Sequence, residues 1–151
     1  MLDDSDRRLL RHYQHDPDLP LARLAARAGL SSASCARRLA RLRAAGLIRG
    51  VRAVIDWRAL GYEVEVSLRV SLEKARPRAF EEFLAAAREI PEVIEIQTFL
   101  GRVDLRLAVI ARDMDHYQRI YREAVLGLPH IADIEALMHV AAIKTDEALP
   151  L

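Results

Sequence analysis

The chain holds one cysteine, Cys35, and only two lysines, Lys74 and Lys144, in 151 residues. A lone thiol cannot close an internal disulfide, and without a CxxC pair a zinc site is not suggested. No apolar run approaches the ~20 residues needed to span a bilayer. The opening Met1-Leu2-Asp3-Asp4-Ser5-Asp6 is acidic and lacks the basic-then-apolar order of a signal peptide, so a cytoplasmic, non-membrane protein is expected. The HExxH, phosphate-loop, dinucleotide and nucleophile-elbow motifs are all missing. His12 and His15 could share a helix face, but the adjacent Arg11 and a nearby helix end disfavour a metal there. No catalytic residue, metal or cofactor is implied.

What is present is charge, unevenly spread. Residues 1–52 carry eleven arginines against five aspartates, a net of +6, whereas residues 53–151 carry twelve basic against seventeen acidic residues, a net of −5. The overall +1 conceals this division. A basic N-terminal third beside an acidic remainder fits a nucleic-acid module joined to a second domain.

The N-terminal third carries helix punctuation. Asp3 can cap a first helix, with Asp6 near its positive end and Leu9, Leu10 and Tyr13 at helical spacing. Asp16-Pro17-Asp18 and Pro20 end it near His15. Leu21, Leu24, Ala25 and Ala28 form the apolar face of a short second helix, closed by Gly29. Ser31 sits where a third helix, roughly 32–45, needs its N-cap. A short helix, a tight glycine turn and a capped longer helix spell helix-turn-helix. On the third helix, Cys35, Leu39 and Leu42 face the core, and Cys35 reads as a small core residue rather than a redox switch. Ser34, Arg37, Arg38 and Arg41 are expected on the other side. Hydroxyls and N-terminal amides hold phosphate, and arginine pairs bidentately with guanine, so Ser31, Ser32, Ser34, Arg37, Arg38 and Arg41 are the candidate DNA contacts. The β-prone run from Leu47 to Ile55, with Gly50 near its centre, fits a wing or a first linker strand, where Arg49 and Arg52 could meet phosphate.

Beyond it, residues 63–70 alternate polar and apolar without a miss, as a half-buried strand does. Pro77 can open a helix in which Phe80, Phe83, Leu84 and Ala87 share a face, and Pro91 ends it. Strands are expected over 93–99 and 104–110, joined by a short turn at Gly101-Arg102-Val103 as an antiparallel hairpin. Asp113 can cap a helix containing Tyr117, Ile120, Tyr121, Ala124 and Val125, ended by Gly127 and Pro129, and residues 131–142 read as a fourth strand. The β-α-β-β-α-β order is ferredoxin-like. The fold class is therefore α+β: a winged helix-turn-helix over 1–50, a linker or strand over 51–61, and a ferredoxin-like domain over 62–151. Because Val93, Ile94 and Ile96 place apolar residues on both sides of one strand, the open sheet face is expected to pack against a second chain. A two-fold dimer presents two recognition helices to a pseudo-palindromic double-stranded DNA site.

These marks, taken in order, resemble the Lrp/AsnC (feast/famine) family of transcription regulators over essentially the whole chain. They are Leu2-Asp3-Asp4-Ser5-Asp6-Arg7, Leu24-Ala25, Gly29-Leu30-Ser31, Arg38-Leu39 with Leu42, and Gly46-Leu47-Ile48-Arg49-Gly50. Further along come Pro91-Glu92-Val93, Gly101-Arg102-Val103-Asp104, and Lys144 before Leu149-Pro150-Leu151. The resemblance implies dimers built through the ferredoxin-like domain, with tetramers or octamers beyond, and an amino-acid effector. It places that effector near Leu100, Gly101, Val103 and Asp104 and the facing strand around Ala136. Glycine permits close approach to a ligand and a carboxylate can receive an ammonium group, which agrees. The sequence departs from the family where Leu100 replaces a common Thr or Ser, where Leu105 replaces a common aromatic, and where Ser32 and Ser34 stand in place of frequent prolines. An enzyme of the same architecture, similar to the sirohaem decarboxylases, is the alternative; the arginine-rich recognition face argues against it.

Overall fold

A computed structural model describes residues 2–73, 75–144 and 148–151. Their contacts divide the chain into two compact units, Met1–Val54 with Lys144–Leu151, and Ile55–Ile143.

The first unit is built from α1 (Asp4–His15), α2 (Leu21–Ala28) and α3 (Ser32–Ala44). Two of the three starts are capped by side chains. Asp3 and Asp6 form a reciprocal capping box on α1, each carboxylate accepting the other residue's backbone N–H. The Ser31 hydroxyl accepts from Ser34 N–H at the head of α3. Gly29 ends α2 at φ +68°, a left-handed conformation that glycine adopts without the Cβ penalty. Leu9, Tyr13, Leu24, Ala25, Ala28, Cys35, Leu39 and Leu42 make the buried core. Burial pushes the Cys35 thiol pKa up, as befits a core residue.

The strand expected over 47–55 is not formed, and the run takes an irregular course. A strand needs a neighbour to share its ladder, and none of the described residues pairs with it. Val54 is 91% exposed. The tail joins the first unit through hydrogen bonds: Gln14 of α1 both donates to the Leu149 carbonyl at 2.9 Å and accepts from the Leu149 N–H at 2.8 Å.

The second unit runs β1 (Val64–Leu72), α4 (Ala79–Ala87), β2 (Val93–Thr98), β3 (Leu105–Ala111), α5 (Met114–Ile120) and β4 (Ile131–Met138). A π-helical turn, Tyr121–Val125, extends α5. The sheet is antiparallel throughout, in the order β2-β3-β1-β4. Val66, Leu68 and Val70 of β1 and Leu105, Leu107 and Val109 of β3 are fully buried with Phe83 of α4, against the buried Tyr117 and Ile120 of α5. Strand β4 is shorter than the 131–142 expected: the ladder with β1 stops at Met138, and Val140 and Ile143 lie exposed.

The open face of the sheet differs from expectation, and a bulge explains why. Between Val93 and Glu95 the pairing of β2 with β3 shifts, so Val93 faces Val109 and Ile96 faces Leu107. Both therefore pack on the same core, although three residues apart, and Ile94 is left half-exposed as the bulged residue. The open face instead carries Glu65, Ser67, Arg69, Arg106, Asp133 and Glu135 among few apolar groups. Arg106 pairs with Glu95 at 3.2 Å and Arg69 with Glu135 at 3.5 Å. The apolar surface on which a second chain was expected is thus mostly polar.

Candidate nucleic-acid interface and effector loop

Helix α3 has two edges, and charge fixes one of them. The Asp6 side chain is 0% exposed. It accepts from Arg38 Nη1 at 2.7 Å and from Arg41 Nη2 at 2.5 Å. Arg38 Nη1 also reaches Asp3 at 2.7 Å. The two carboxylates that cap α1 therefore also clasp α3. Burial works to raise the Asp6 pKa, but hydrogen bonds from Arg38, the Asp3 backbone and Arg41 hold it below the usual carboxylate range. The Arg38 hydrogen bond likewise lowers Asp3. Arg43 donates to the Tyr13 hydroxyl at 2.9 Å and lies over its ring. Arg8 ties the end of α2 through the Ala28 carbonyl.

The candidate DNA contacts are consequently unequal. Ser31 is the cap, while Ser32 and Arg37 are exposed and Ser34 is half-buried. Arg38, expected on the outer face, is drawn inward by Asp3 and Asp6, with only 21% of its side chain exposed. Arg41 is joined to Asp6 but keeps 55% of its side chain exposed. Arg49 and Arg52 are exposed on the irregular run that follows. Much of the N-terminal arginine excess is thus spent internally. The signal that could have shown this was the capping carboxylate Asp6, whose partners lie on another helix.

In the second unit the loop 99–104 is fastened to the end of β1. The Asp104 carboxylate accepts from Leu72 N–H at 2.8 Å, and the Asp104 N–H donates to the Val70 carbonyl at 3.0 Å. Ser71 Oγ donates to the Arg102 carbonyl at 2.8 Å. Gly101, Val103 and Asp104 are brought together, and Leu100 projects fully into solvent. Ala136 is not brought to them: it pairs with the buried Leu68 and so faces the helix side of β4. What adjoins the loop is a recess of about 320 Å³ lined by Arg69, Ser71, Arg102, Val103, Asp133 and Glu135. Of these only Val103 was foreseen. Arg69 belongs to the alternation of residues 63–70 and Ser71 extends it, but the β1–β4 register that sets Asp133 and Glu135 beside them is a long-range property.

Comparison with known proteins fits both units. Residues 2–49 match the winged helix-turn-helix DNA-binding model, and residues 65–149 match the Lrp/AsnC ligand binding domain. The HTH-type transcriptional regulator Zrp of Zymomonas mobilis is 33% identical, covering 99% of this chain and 97% of that protein. The proline dehydrogenase transcriptional activator of Rhodobacter capsulatus is 34% identical over 95% of this chain and 93% of its own length. Among solved structures, a Neisseria meningitidis transcriptional regulator in complex with L-Met superposes with a TM-score of 0.92 at 29% identity, covering 99% and 97% of the two chains. An AsnC family regulator from Agrobacterium tumefaciens gives 0.89 at 30% identity, again covering 99% and 97%. Helix-turn-helix, antiparallel α+β domain and whole-length relatives named as regulators agree, and the chain belongs to the Lrp/AsnC family of transcriptional regulators.

Proposed function

We propose that this regulator binds specific double-stranded DNA through α3, and that an amino acid bound beside the loop 99–104 changes its assembly or its DNA affinity. On the DNA side, α3 enters the major groove from the Ser31, Ser32 and Ser34 end, where hydroxyls and unpaired helix amides can hold phosphate. Arg37 and Arg41 lie along the groove, Arg49 and Arg52 meet the backbone, and Arg38 serves by holding α3 against α1. A homodimer aligns two such helices on a pseudo-palindromic site, and tetramers or octamers extend the same assembly.

The observation that carries the effector reading is the mixed charge of the recess. Arg69 and Arg102 stand beside Asp133 and Glu135. A zwitterion needs both signs within a few ångströms, a cation for its carboxylate and an anion for its ammonium. Asp104 holds the loop through Leu72 and supports the site from behind. The L-Met bound to the Neisseria regulator makes amino acids the first ligands to try. Linkage supplies the mechanism: a ligand that prefers one assembly must enrich that assembly and with it the DNA affinity that assembly has.

The test is the unfolding midpoint in each of the twenty amino acids at millimolar concentration, followed by DNA affinity with and without the stabilising one. At least one amino acid is expected to raise the midpoint and change DNA affinity by about fivefold or more. Both responses should be lost in Arg69→Ala and in Asp133→Ala. If no amino acid moves either quantity, the effector reading fails.

A further inference from the structure

Helix α3 carries four arginines, and three are committed within the protein. Arg38 and Arg41 are held by Asp3 and Asp6, and Arg43 by Tyr13. For the Arg37 guanidinium no hydrogen bond or ion pair occurs among the described residues. Its position on the helix is equally distinct. At 100° per residue, the direction opposite the buried Cys35, Leu39 and Leu42 belongs to Ala33, Arg37, Ala40 and Ala44, with the Asp6-bound Arg41 at its edge. The first four are exposed. The alanines end at Cβ, so one side chain on the outward face has both reach and hydrogen-bond donors.

Building on the DNA-binding reading above, we infer that Arg37 is the side chain by which this regulator reads a base edge, and that the base is a guanine in each half-site. The guanidinium fork matches the guanine O6 and N7 acceptors in the major groove. The alanines one turn before and after it let the helix sit deep enough for that fork to reach, and their methyl groups suit thymine methyls at neighbouring pairs. Arg38 and Arg41 are poor candidates for the same task. Turning either fork to a base would strip a partner from the Asp6 carboxylate, which is fully buried and so shut off from solvent. Arg41 can still offer its outer nitrogens to phosphate, which positions the helix without reading sequence.

The experiment selects bound duplexes from a random pool with the full chain, comparing the unmodified protein with Arg37→Ala and Arg38→Ala, and measures unfolding midpoints alongside. The unmodified protein should enrich a pseudo-palindrome with a fixed guanine in each half. Arg37→Ala should keep its midpoint, lose preference at that base pair, and bind the selected sequence about 10- to 100-fold more weakly while affinity for random duplex falls far less. Arg38→Ala should lower the midpoint and, at a temperature where it is folded, retain the guanine. If Arg37→Ala enriches the same guanine, or Arg38→Ala is the variant that loses it, the assignment is overturned while DNA binding stands. If the unmodified protein enriches no sequence, the DNA-binding reading falls and the assignment with it.

Discussion

The two units reach stability by different routes. In Ile55–Ile143, fifteen buried apolar residues from every strand but the two edge ones, and from both helices, form one contiguous core. Its ion pairs are solvent-facing additions. The helix-turn-helix unit has about half as many buried apolar residues and adds a charged clasp with a fully buried carboxylate at its centre. A three-helix module of this size has little apolar area to bury, so the orientation of its helices leans on directional contacts. Directional contacts fix geometry sharply, and a recognition helix needs fixed geometry more than it needs surplus stability.

The largest contrast should come from the apolar route. Phe83→Ala leaves a cavity among β1, β3 and α5 and should cost about 3–5 kcal/mol. Amide hydrogen exchange should then accelerate through Val64–Leu72 and Leu105–Ala111 while Ser32–Ala44 keeps its protection; equal loss in both units would show that they unfold as one. Acid should produce the reverse. Asp3 and Asp6 have folded pKa values below the ordinary carboxylate value of ~3.9, so their stabilisation is fully present above that pH and is lost as pH falls through the lower folded values. Glu82, lowered by its hydrogen bond with His130, acts in the same direction in the second unit but as a single exposed pair. Helix α3 should therefore lose protection first below about pH 4, and Asp6→Asn should cost about 2 kcal/mol at neutral pH and flatten that acid response. An unchanged acid profile in Asp6→Asn would place the sensitivity elsewhere. The smallest effect is expected from Gln14→Ala, which removes two hydrogen bonds to Leu149 and should cost about 1 kcal/mol or less, read as faster exchange at Leu149 with the α1 core unchanged.

The same contrast governs what could be read from the sequence. Local devices were plain: the Asp3, Ser31 and Asp113 caps, the Gly29 turn and the unbroken alternation of residues 63–70 all act within a few residues of themselves. A helical wheel set Arg38 outside because it knows one helix and not its neighbour; Asp6 lies thirty-two residues before Arg38. The bulge in β2 breaks the two-residue period, so Val93 and Ile96 read as facing opposite ways when both face the core. Register between β1 and β4 turned Ala136 away from the loop 99–104 and set Asp133 and Glu135 beside it. In each case the deciding partner is distant in sequence, and pattern reading has no access to it.

The bulge at Ile94 has a bearing on solubility. Strand β2 is an outer strand of the sheet, and an outer strand with free amide and carbonyl groups invites another chain to add itself indefinitely. A regular β2 with Val93, Ile94 and Ile96 would be an apolar template for such growth. The extra residue kinks the strand, interrupts its hydrogen-bonding rhythm and turns two of those three side chains inward. An edge strand interrupted in this way is a poor template for open-ended addition of further strands.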